Sequence, residues 1–548
     1  MPGDDPSVLN LAQRRRSLSA ATSGVHDVVV IGAGATGAGA ALDAVGRGLS
    51  VVLVDAGDLA AGTSSRSGKT LHGGLRYLEQ LNFRLVNAAL HERNLLVTTL
   101  SPYLARPEPY TYPLTHHWER PYIGAGIALY DVMTLTRKGV PHHRHFTRKG
   151  VLAEAPALDP AKVVGGIRYY DVQIDDARHA MLLARTAAGL GAQVISRARV
   201  IDIPSNAGRV GGVVVEDLRT GTRHEIRARS VINAAGIWSA EIQKLAGRPT
   251  FRVQPAKGVH VVLPLSALDS RTTLFARAED SVIIIRRWGD YWLLGTTDTP
   301  YDGDYSAPRV ERAEIDYLLR NINRYLRTKI RREDIVGAFA GLRPLLAPMD
   351  DDPSATSALS RDHSVIPGPA GLVTIVGGKY TTYRPMAADA IDAAGRFLDG
   401  DLVGTGSETQ PVLGSAGWTE ILQRAPAIAE LYGLDVREVQ RLVHRYGALT
   451  EEVLAPAAAD PRLARPLPGA PAYLAAEYRY AVTHEGALTL DDVLWHRTHV
   501  SFETSDGGAE AAPHVATLIA TELGWDEAEQ AAEVKRYREW IRLERAAL

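Results

Sequence analysis

Cysteine is missing altogether from the 548 residues. Its absence excludes disulfides, thiolate nucleophiles, thiolate metal ligands and cysteine-held iron–sulfur clusters, and it fits a cytoplasmic setting. An excess of one charge is missing too: 61 Lys and Arg stand against 63 Asp and Glu, a net charge of −2. A general nucleic-acid binder would carry a basic surplus. No stretch reaches the ~18 consecutive apolar residues needed to span a bilayer. Paired EF-hand loops are also absent, so calcium regulation of that kind is not supported. Arg14, Arg15 and Arg16 begin like a twin-arginine export signal, but residues 17–24 are short and polar where such a signal needs an apolar region. Residues 1–24 therefore read as a flexible basic leader.

What is present is a globular composition, 45% hydrophobic and 23% charged, in a chain long enough for two to four domains. Residues 27–31 (DVVVI) are a β-branched run of the kind that makes a buried parallel strand. The run leads into Gly32-Ala33-Gly34-Ala35-Thr36-Gly37, an alanine-rich helical stretch over 38–47, and a second β-branched run over 50–54 that ends in Asp55. This is a complete βαβ unit. Gly32 permits the tight turn, Gly34 lets backbone approach a pyrophosphate, and Gly37 allows helix to pack on strand. The N-terminal turn of the helix, with Thr36, supplies donors, and Asp55 can accept from ribose hydroxyls. The unit by itself does not choose between FAD and NAD. The next segment does. Gly62-Thr63-Ser64-Ser65-Arg66-Ser67-Gly68-Lys69 and then His72-Gly73-Gly74-Leu75-Arg76-Tyr77 offer many short donors to a second phosphate and a ring system. A nicotinamide enzyme would run into its next βαβ unit here.

Further along, residues 194–229 alternate strands with polar turns, and residues 231–236 form a strand ending in the small Ala235 and Gly236, as expected where backbone passes close to a cofactor. Residues 372–376 (LVTIV) are another buried strand, followed by Gly377, Gly378 and Lys379 and a helix opening near Thr381. Residues 251–300 alternate in strand fashion, with His260 between apolar neighbours, and read as an antiparallel cap occupying mainly 251–335. A Gly/Ser/Pro-containing linker at 401–417 introduces a helical region, in which Val436, Val439, Leu442 and Val443 form an apolar stripe after a capping box at 435–438.

The motifs IGAGATGAG, GTSSRSGKTLHGGLRYLE, NAAGIWS, KGVHVV, GTTDTPY, GLRPL, SRDH and GGKYTTYR follow one another over roughly residues 25 to 390. In this order they resemble the FAD-dependent glycerol-3-phosphate dehydrogenases, which share the fold of the D-amino-acid and glycine oxidases. The later AVTHEGALTLDDVLWHRTHVSFE is similar to that family's C-terminal domain. The resemblance implies an α/β fold in three parts: a flexible leader (1–24), a discontinuous FAD-binding Rossmann-type domain with an antiparallel substrate cap (25–400), and an all-α C-terminal domain (401–548). It implies FAD contacts at Gly32, Gly34, Thr36, Gly37, Asp55, Thr63, Ser64, Ser65, Ser67, Lys69, His72, Gly73, Gly74, Ala235, Gly236, Gly378, Lys379, Tyr380 and Thr381. The glycine–helix junction at 377–381 would face the flavin's pyrimidine edge, where backbone donors stabilise charge developing on reduction.

The implied reaction is oxidation of sn-glycerol 3-phosphate to dihydroxyacetone phosphate, with electrons passed to a quinone-type acceptor. His260 would be the base. Arg76, Arg343, Arg361 and Lys379, with Tyr77, would hold the phosphate, and Arg343 would also polarise the forming carbonyl. Three rivals stay open: O2 as acceptor with peroxide as product, an amine or amino-acid oxidase, and a flavin-binding protein without turnover. The histidines at 142, 143 and 145 read as solvated surface, with no metal expected. Family members often deliver electrons to membrane quinone, so peripheral contact with the inner face of the cell membrane is expected, together with a homodimer. Two stretches are candidates for that contact: the apolar residues 122–135, too short to span, and the basic amphipathic residues 319–332.

Overall fold

The computed structural model describes residues 5–74, 82–133, 139–247, 250–279, 281–347 and 362–548. Its first sheet is built on five parallel strands, Gln193–Ile195, Val51–Val54, Val25–Ile31, Arg223–Asn233 and Leu372–Gly377, in that spatial order. The antiparallel His363–Pro367 lies at one edge. Strand Val51–Val54 is buried at every position, and Val25–Ile31 is buried over its last four residues. Their β-branched side chains suit a sheet covered on both faces. Strand Arg223–Asn233 serves twice: its first half pairs with Gly212–Asp217, and its second half enters the parallel core. Of the strands within residues 194–229, Ala198–Asp202 and Gly212–Asp217 are thus continuous with the nucleotide sheet, while Ser205–Asn206 and Arg209–Val210 form a separate hairpin.

Helix Ala35–Gly46 crosses between the first two parallel strands and packs on helices Asp176–Gly189 and Tyr383–Gly395. Its many alanines and glycines permit the close approach; a Cβ at Gly39 would come within 2.8 Å of the Tyr383 ring. Four carboxyl ends of this sheet, at residues 31, 54, 233 and 377, open on one edge. In such sheets that edge is where ligands bind.

The second sheet has ten strands. Strand Arg252–Pro264 pairs along most of its length with Gly337–Ala347, and its far end pairs with Tyr291–Gly295. The cap is wider than 251–335: Thr70–Leu71, Arg106–Leu114, Arg144–Thr147 and Gly165–Gln173 all belong to it. Strand Arg106–Leu114 carries prolines at 107, 109 and 113, a composition that argues against a central strand. It is tolerated because one edge pairs fully with Gly165–Gln173 while the other pairs only at Tyr110 and Thr111, in the sheet's one parallel contact.

One other expectation changes. The leader is not flexible where it is described: residues Leu11–Thr22 form a helix capped by Asn10. Arg14 is buried in it, with an ion pair to Asp217 at 2.7 Å and a hydrogen bond to the Ser196 carbonyl at 2.7 Å. The C-terminal region is helical apart from a short pair of strands, Pro466–Leu467 and Ala470–Leu474.

Buried charges join that region to the nucleotide domain. Arg497 donates both terminal nitrogens to Asp58 at 2.7 and 2.8 Å, and His496 Nδ1 lies 2.8 Å from the same carboxylate. Burial acts to raise the Asp58 pKa, but Arg497 and His496 overcome it and hold the carboxyl below the usual range. Arg178 makes a second bidentate pair with Glu485, at 2.7 and 3.2 Å. Arg497→Met leaves the Asp58 charge without its bidentate partner in a dry interface, which should cost about 3–5 kcal/mol. Urea unfolding of the two proteins measures this, and a loss below ~1 kcal/mol would show that the pair does not hold the interface.

Candidate cofactor and substrate site

A single cavity of about 1030 Å³ runs from the carboxyl edge of the parallel sheet to the face of the cap sheet. One end is lined by Gly32, Gly34, Ala35, Thr36 and Asp55, the other by His260 and Arg343. Backbone geometry makes the first end. Gly32 has φ 100°, and a Cβ there would meet the Ala234 carbonyl oxygen at 2.7 Å. A Cβ at Gly37 would lie 1.8 Å from the Gly32 carbonyl oxygen, so only glycine lets helix Ala35–Gly46 start this close to its strand. The Ser64 hydroxyl accepts from the Ala35 N–H at 2.9 Å, covering one of the helix's open donors.

Asp55 accepts from the N–H groups of Ala33 at 2.6 Å and Gly57 at 2.7 Å. Each carboxylate oxygen thereby keeps a lone pair for an incoming hydroxyl. Burial raises the Asp55 pKa against the pull of these two donors. The cavity is elongated, cradled by glycine at one end and acidic at the ribose position, so the residues present fit a dinucleotide. Thr63, Ser67, His72, Gly74, Ala235, Gly236, Gly378, Lys379, Tyr380 and Thr381 line the same space. Gly377 and Gly378, both at φ 78°, turn the chain out of its strand and into the helical turn Tyr380–Thr382.

Three expected cofactor contacts point elsewhere. Lys69 is fully buried and ion-paired to Asp176 at 2.5 Å, and it also donates to the Ser65 carbonyl. Asp176 accepts from the Ser67 N–H at 2.9 Å as well, so Lys69 and Asp176 brace the hydroxyl-rich loop from behind. Ser65 turns inward to the Gly62 carbonyl. Gly73 donates to the Tyr130 hydroxyl at 2.7 Å, and a Cβ there would strike Leu90 and Tyr130 at 2.5 and 2.6 Å. Their spacing in a donor-rich loop could not distinguish residues that face the ligand from residues that shape the loop.

His260 sits where three strands are level: it faces Phe339 on one neighbour and Gly295 on the other, with Ile284 beyond Gly295. Its ring stacks on Phe339 at 5.2 Å, and the bare backbone of Gly68 and Gly295 gives it room; a Cβ at Gly295 would lie 2.1 Å from the ring. The side chain is 7% exposed, and Nδ1 is buried with no hydrogen-bond partner. That leaves Nε2 to the cavity. Burial, reinforced by the charges of Arg343, Arg286 and Lys69, pushes its pKa well below the ordinary histidine value, so the imidazole is neutral at neutral pH.

Arg343 is held by the turn after Gly295: it pairs with Asp298 at 3.0 Å and donates to the Thr296 hydroxyl and the Thr297 carbonyl. Arg76, Tyr77 and Arg361, also expected here, lie outside the described residues. Sequence reasoning missed the roles of Thr296 and Asp298, which lie within GTTDTPY, and of Arg286, a buried cation of the cap face. Strand alternation was the available signal for Arg286, since 284, 286 and 288 share one side. Among the described residues one cluster, Asp58, Asp492 and His496, has the spacing of metal ligands. Its carboxylates are already engaged by Arg497 and Arg197.

The arrangement can hold a dinucleotide along the parallel sheet and present a neutral base and a guanidinium to a small molecule at the cap. Comparison with known proteins agrees. Residues 27–384 match the FAD dependent oxidoreductase family, and residues 405–530 match the C-terminal domain of alpha-glycerophosphate oxidase. Glycerol-3-phosphate dehydrogenase 2 of Mycobacterium tuberculosis is 48% identical over 97% of this chain and 90% of its own length. The mitochondrial glycerol-3-phosphate dehydrogenase of Bos taurus is 35% identical over 94% of this chain and 73% of its own. The crystal structure of the Bacillus halodurans glycerol-3-phosphate dehydrogenase complexed with FAD superposes with a TM-score of 0.79 at 27% identity, covering 97% of this chain and 98% of that one. With the motifs, the cavity and the nearly full-length likeness in agreement, the chain belongs to the FAD-dependent glycerol-3-phosphate dehydrogenase family.

Proposed function

We propose that the protein oxidises sn-glycerol 3-phosphate at C2 to dihydroxyacetone phosphate and passes the electrons to a quinone-type acceptor. The observation that carries the reaction is His260: a neutral, buried imidazole beside Arg343, at the far end of a dinucleotide cavity. Oxidising a secondary alcohol needs a base for the hydroxyl proton and a hydride acceptor facing the carbon. Bound FAD supplies the hydride acceptor. Nε2 of His260 takes the C2 hydroxyl proton as the C–H bond breaks, and the electron pair of the O–H bond becomes the second bond of the carbonyl. Arg343, fixed by Asp298 and Thr297, orients the substrate and stabilises charge on the new carbonyl oxygen. Burial, and with it the three cations around His260, makes the bare imidazole a reluctant base. An entering phosphate dianion offsets them and raises its proton affinity, so the base is readied by the substrate it serves.

Exposed apolar surface supports the acceptor side. Trp118 (59% exposed), Tyr122, Leu129 and Val132 lie along one side of helix Glu119–Val132 and its N-terminal turn. Aromatic residues of this kind anchor proteins at a lipid–water interface, and no described helix is long and apolar enough to cross a membrane. Residues 319–332, the contact expected from sequence, are differently disposed. Their helix ends at Ile322, and Leu318, Leu319, Ile322, Leu326 and Ile330 are core residues. Arg320 and Arg324 pair with Glu279, and Arg332 with Asp316. Its apolar side is buried, and three of its six cations are ion-paired, so the segment offers a lipid surface charge but no apolar side.

Adding glycerol 3-phosphate to the purified protein without oxygen should bleach its flavin absorbance; bands that persist would remove the substrate. His260→Ala should keep the flavin and slow that bleaching by roughly 10²–10⁴-fold, and unchanged kinetics would take His260 out of the mechanism. Re-oxidation of the bleached enzyme by a soluble quinone should be much faster than by O2, and stoichiometric peroxide in air would favour the oxidase alternative. The triple variant Trp118→Ser, Tyr122→Ser, Val132→Ser should lose co-sedimentation with vesicles containing anionic lipid, while Arg320→Ser keeps it. The opposite pattern would return the contact to residues 319–332.

A further inference from the structure

Arg197 lines the cofactor end of the cavity, yet its side chain serves another region. It stands in the turn between strands Gln193–Ile195 and Ala198–Asp202, beside Asp55 and Gly57 in the cavity wall. Its φ is 55°, in the left-handed region that a residue with a Cβ rarely adopts. In that conformation its N–H donates to the Gly57 carbonyl at 2.9 Å. On either side of it, the Asp55 N–H donates to the Ile195 carbonyl at 3.0 Å, and the Ala198 N–H donates to the Asp55 carbonyl at 2.7 Å. The turn therefore holds the backbone of the carboxylate placed to accept from the cofactor's ribose.

The guanidinium points the other way, into the C-terminal region. It donates to the Thr489 hydroxyl at 3.1 Å and pairs with Asp492, which is 1% exposed. One oxygen of Asp492, one of Asp58 and a ring nitrogen of His496 all lie within 4.8 Å of one another. Two carboxylates this close in a dry interface repel unless each has a cation. Arg497 covers Asp58, and Arg197 covers Asp492. The cover for a C-terminal carboxylate thus comes from the cofactor turn. A turn needed only for its backbone path would be better served by glycine at this φ. What arginine adds is the guanidinium.

We infer that Arg197 is a positioning residue for the cofactor: through Asp492 it couples docking of the C-terminal region to the grip of the Asp55 loop on FAD. A dinucleotide seated on Asp55 fixes the loop, the turn and hence the guanidinium. The docked C-terminal region fixes the same parts from the other end. Each event favours the other by the same factor, as linkage requires. Arg197 touches no reacting atom, and the coupling is indifferent to the molecule oxidised.

FAD release from the holoenzyme after dilution, followed by the rise in flavin fluorescence, measures the coupling without any substrate. Arg197→Met should release FAD roughly 5- to 150-fold faster than the wild type. Asp492→Asn should also speed release, and the double variant should be no faster than the faster single one, because both changes remove the same pair. Arg197→Gly relaxes the left-handed backbone but removes the guanidinium, and it should release as fast as Arg197→Met. An arginine with a merely structural role in the turn could be replaced by glycine without loss. Arg197→Lys keeps a charge toward Asp492 and should recover most of the retention. Should the charge variants fail to load FAD, Thr489→Val decides: it removes one hydrogen bond of the guanidinium and should speed release roughly 2- to 10-fold. Wild-type release rates from Arg197→Met, Arg197→Gly or Thr489→Val, or additive effects in the double variant, overturn the assignment.

Discussion

Two adjacent carboxylates, Asp175 and Asp176, fasten the cavity loop and the C-terminal region to one helix. They open helix Asp176–Gly189 and face opposite ways. Asp175 caps the helix and reaches into the C-terminal region, to His499 at 2.8 Å and Arg445 at 3.1 Å. Burial would raise its pKa, but His499 and Arg445 hold it well below the usual carboxylate range. Asp176 turns toward the cavity side, to Lys69 and the Ser67 N–H. The loop that lines the cofactor cavity and the helices that cover it are thus fastened to one helical turn. Further along that helix, Arg178 adds its bidentate pair with Glu485. Such pairs contribute less to net stability than their Coulomb energy suggests, because both partners are desolvated. What they provide is geometry: a small set of relative positions in which no charge is left uncovered.

That geometry explains why a helical region remote from the chemistry has an effect on the site. Asp58, clamped by Arg497, lies three residues beyond Asp55 in the same loop. Trp288, on the strand of Arg286, donates its indole N–H to Glu503 at 2.8 Å. The loop of Asp55 and the strand of Arg286 are each braced from the same side. Among the described residues the C-terminal region lines no part of the cavity, yet it braces the loop and the strand that do.

The dinucleotide end was legible in the sequence because its recognition is local. Gly32, Gly34, Gly37 and Asp55 belong to one βαβ unit, and their spacing records a backbone path that few other residues could follow. The KGVH motif singled out His260, which lines the cavity, and its lowered pKa follows from burial and from charged neighbours that only the fold assembles. Other features depended on distant partners and could not be read. The Arg14 side chain looks like a solvated leader residue until Asp217 arrives from 203 positions away. Strand Arg106–Leu114 reads as proline-rich loop until its partner Gly165–Gln173 is placed beside it. Arg286 stands next to the exposed Arg287, and a pair of arginines at a strand end suggests solvent rather than an interior charge. In each case composition described the residue, and long-range pairing decided its environment.

The helix with the exposed aromatic side has an inner side as well. Tyr130 points inward from it, and its hydroxyl is shared by Asp171 at 2.7 Å and by the Gly73 N–H at 2.7 Å, with Arg93 against the same carboxylate. Gly73 sits between His72 and Gly74, which line the cavity. The helix therefore cannot be drawn outward as a free float: any outward pull is borne by the backbone at the rim of the cavity. The exposed face of the helix and the rim of the cavity share one mechanical linkage, through the phenol of Tyr130.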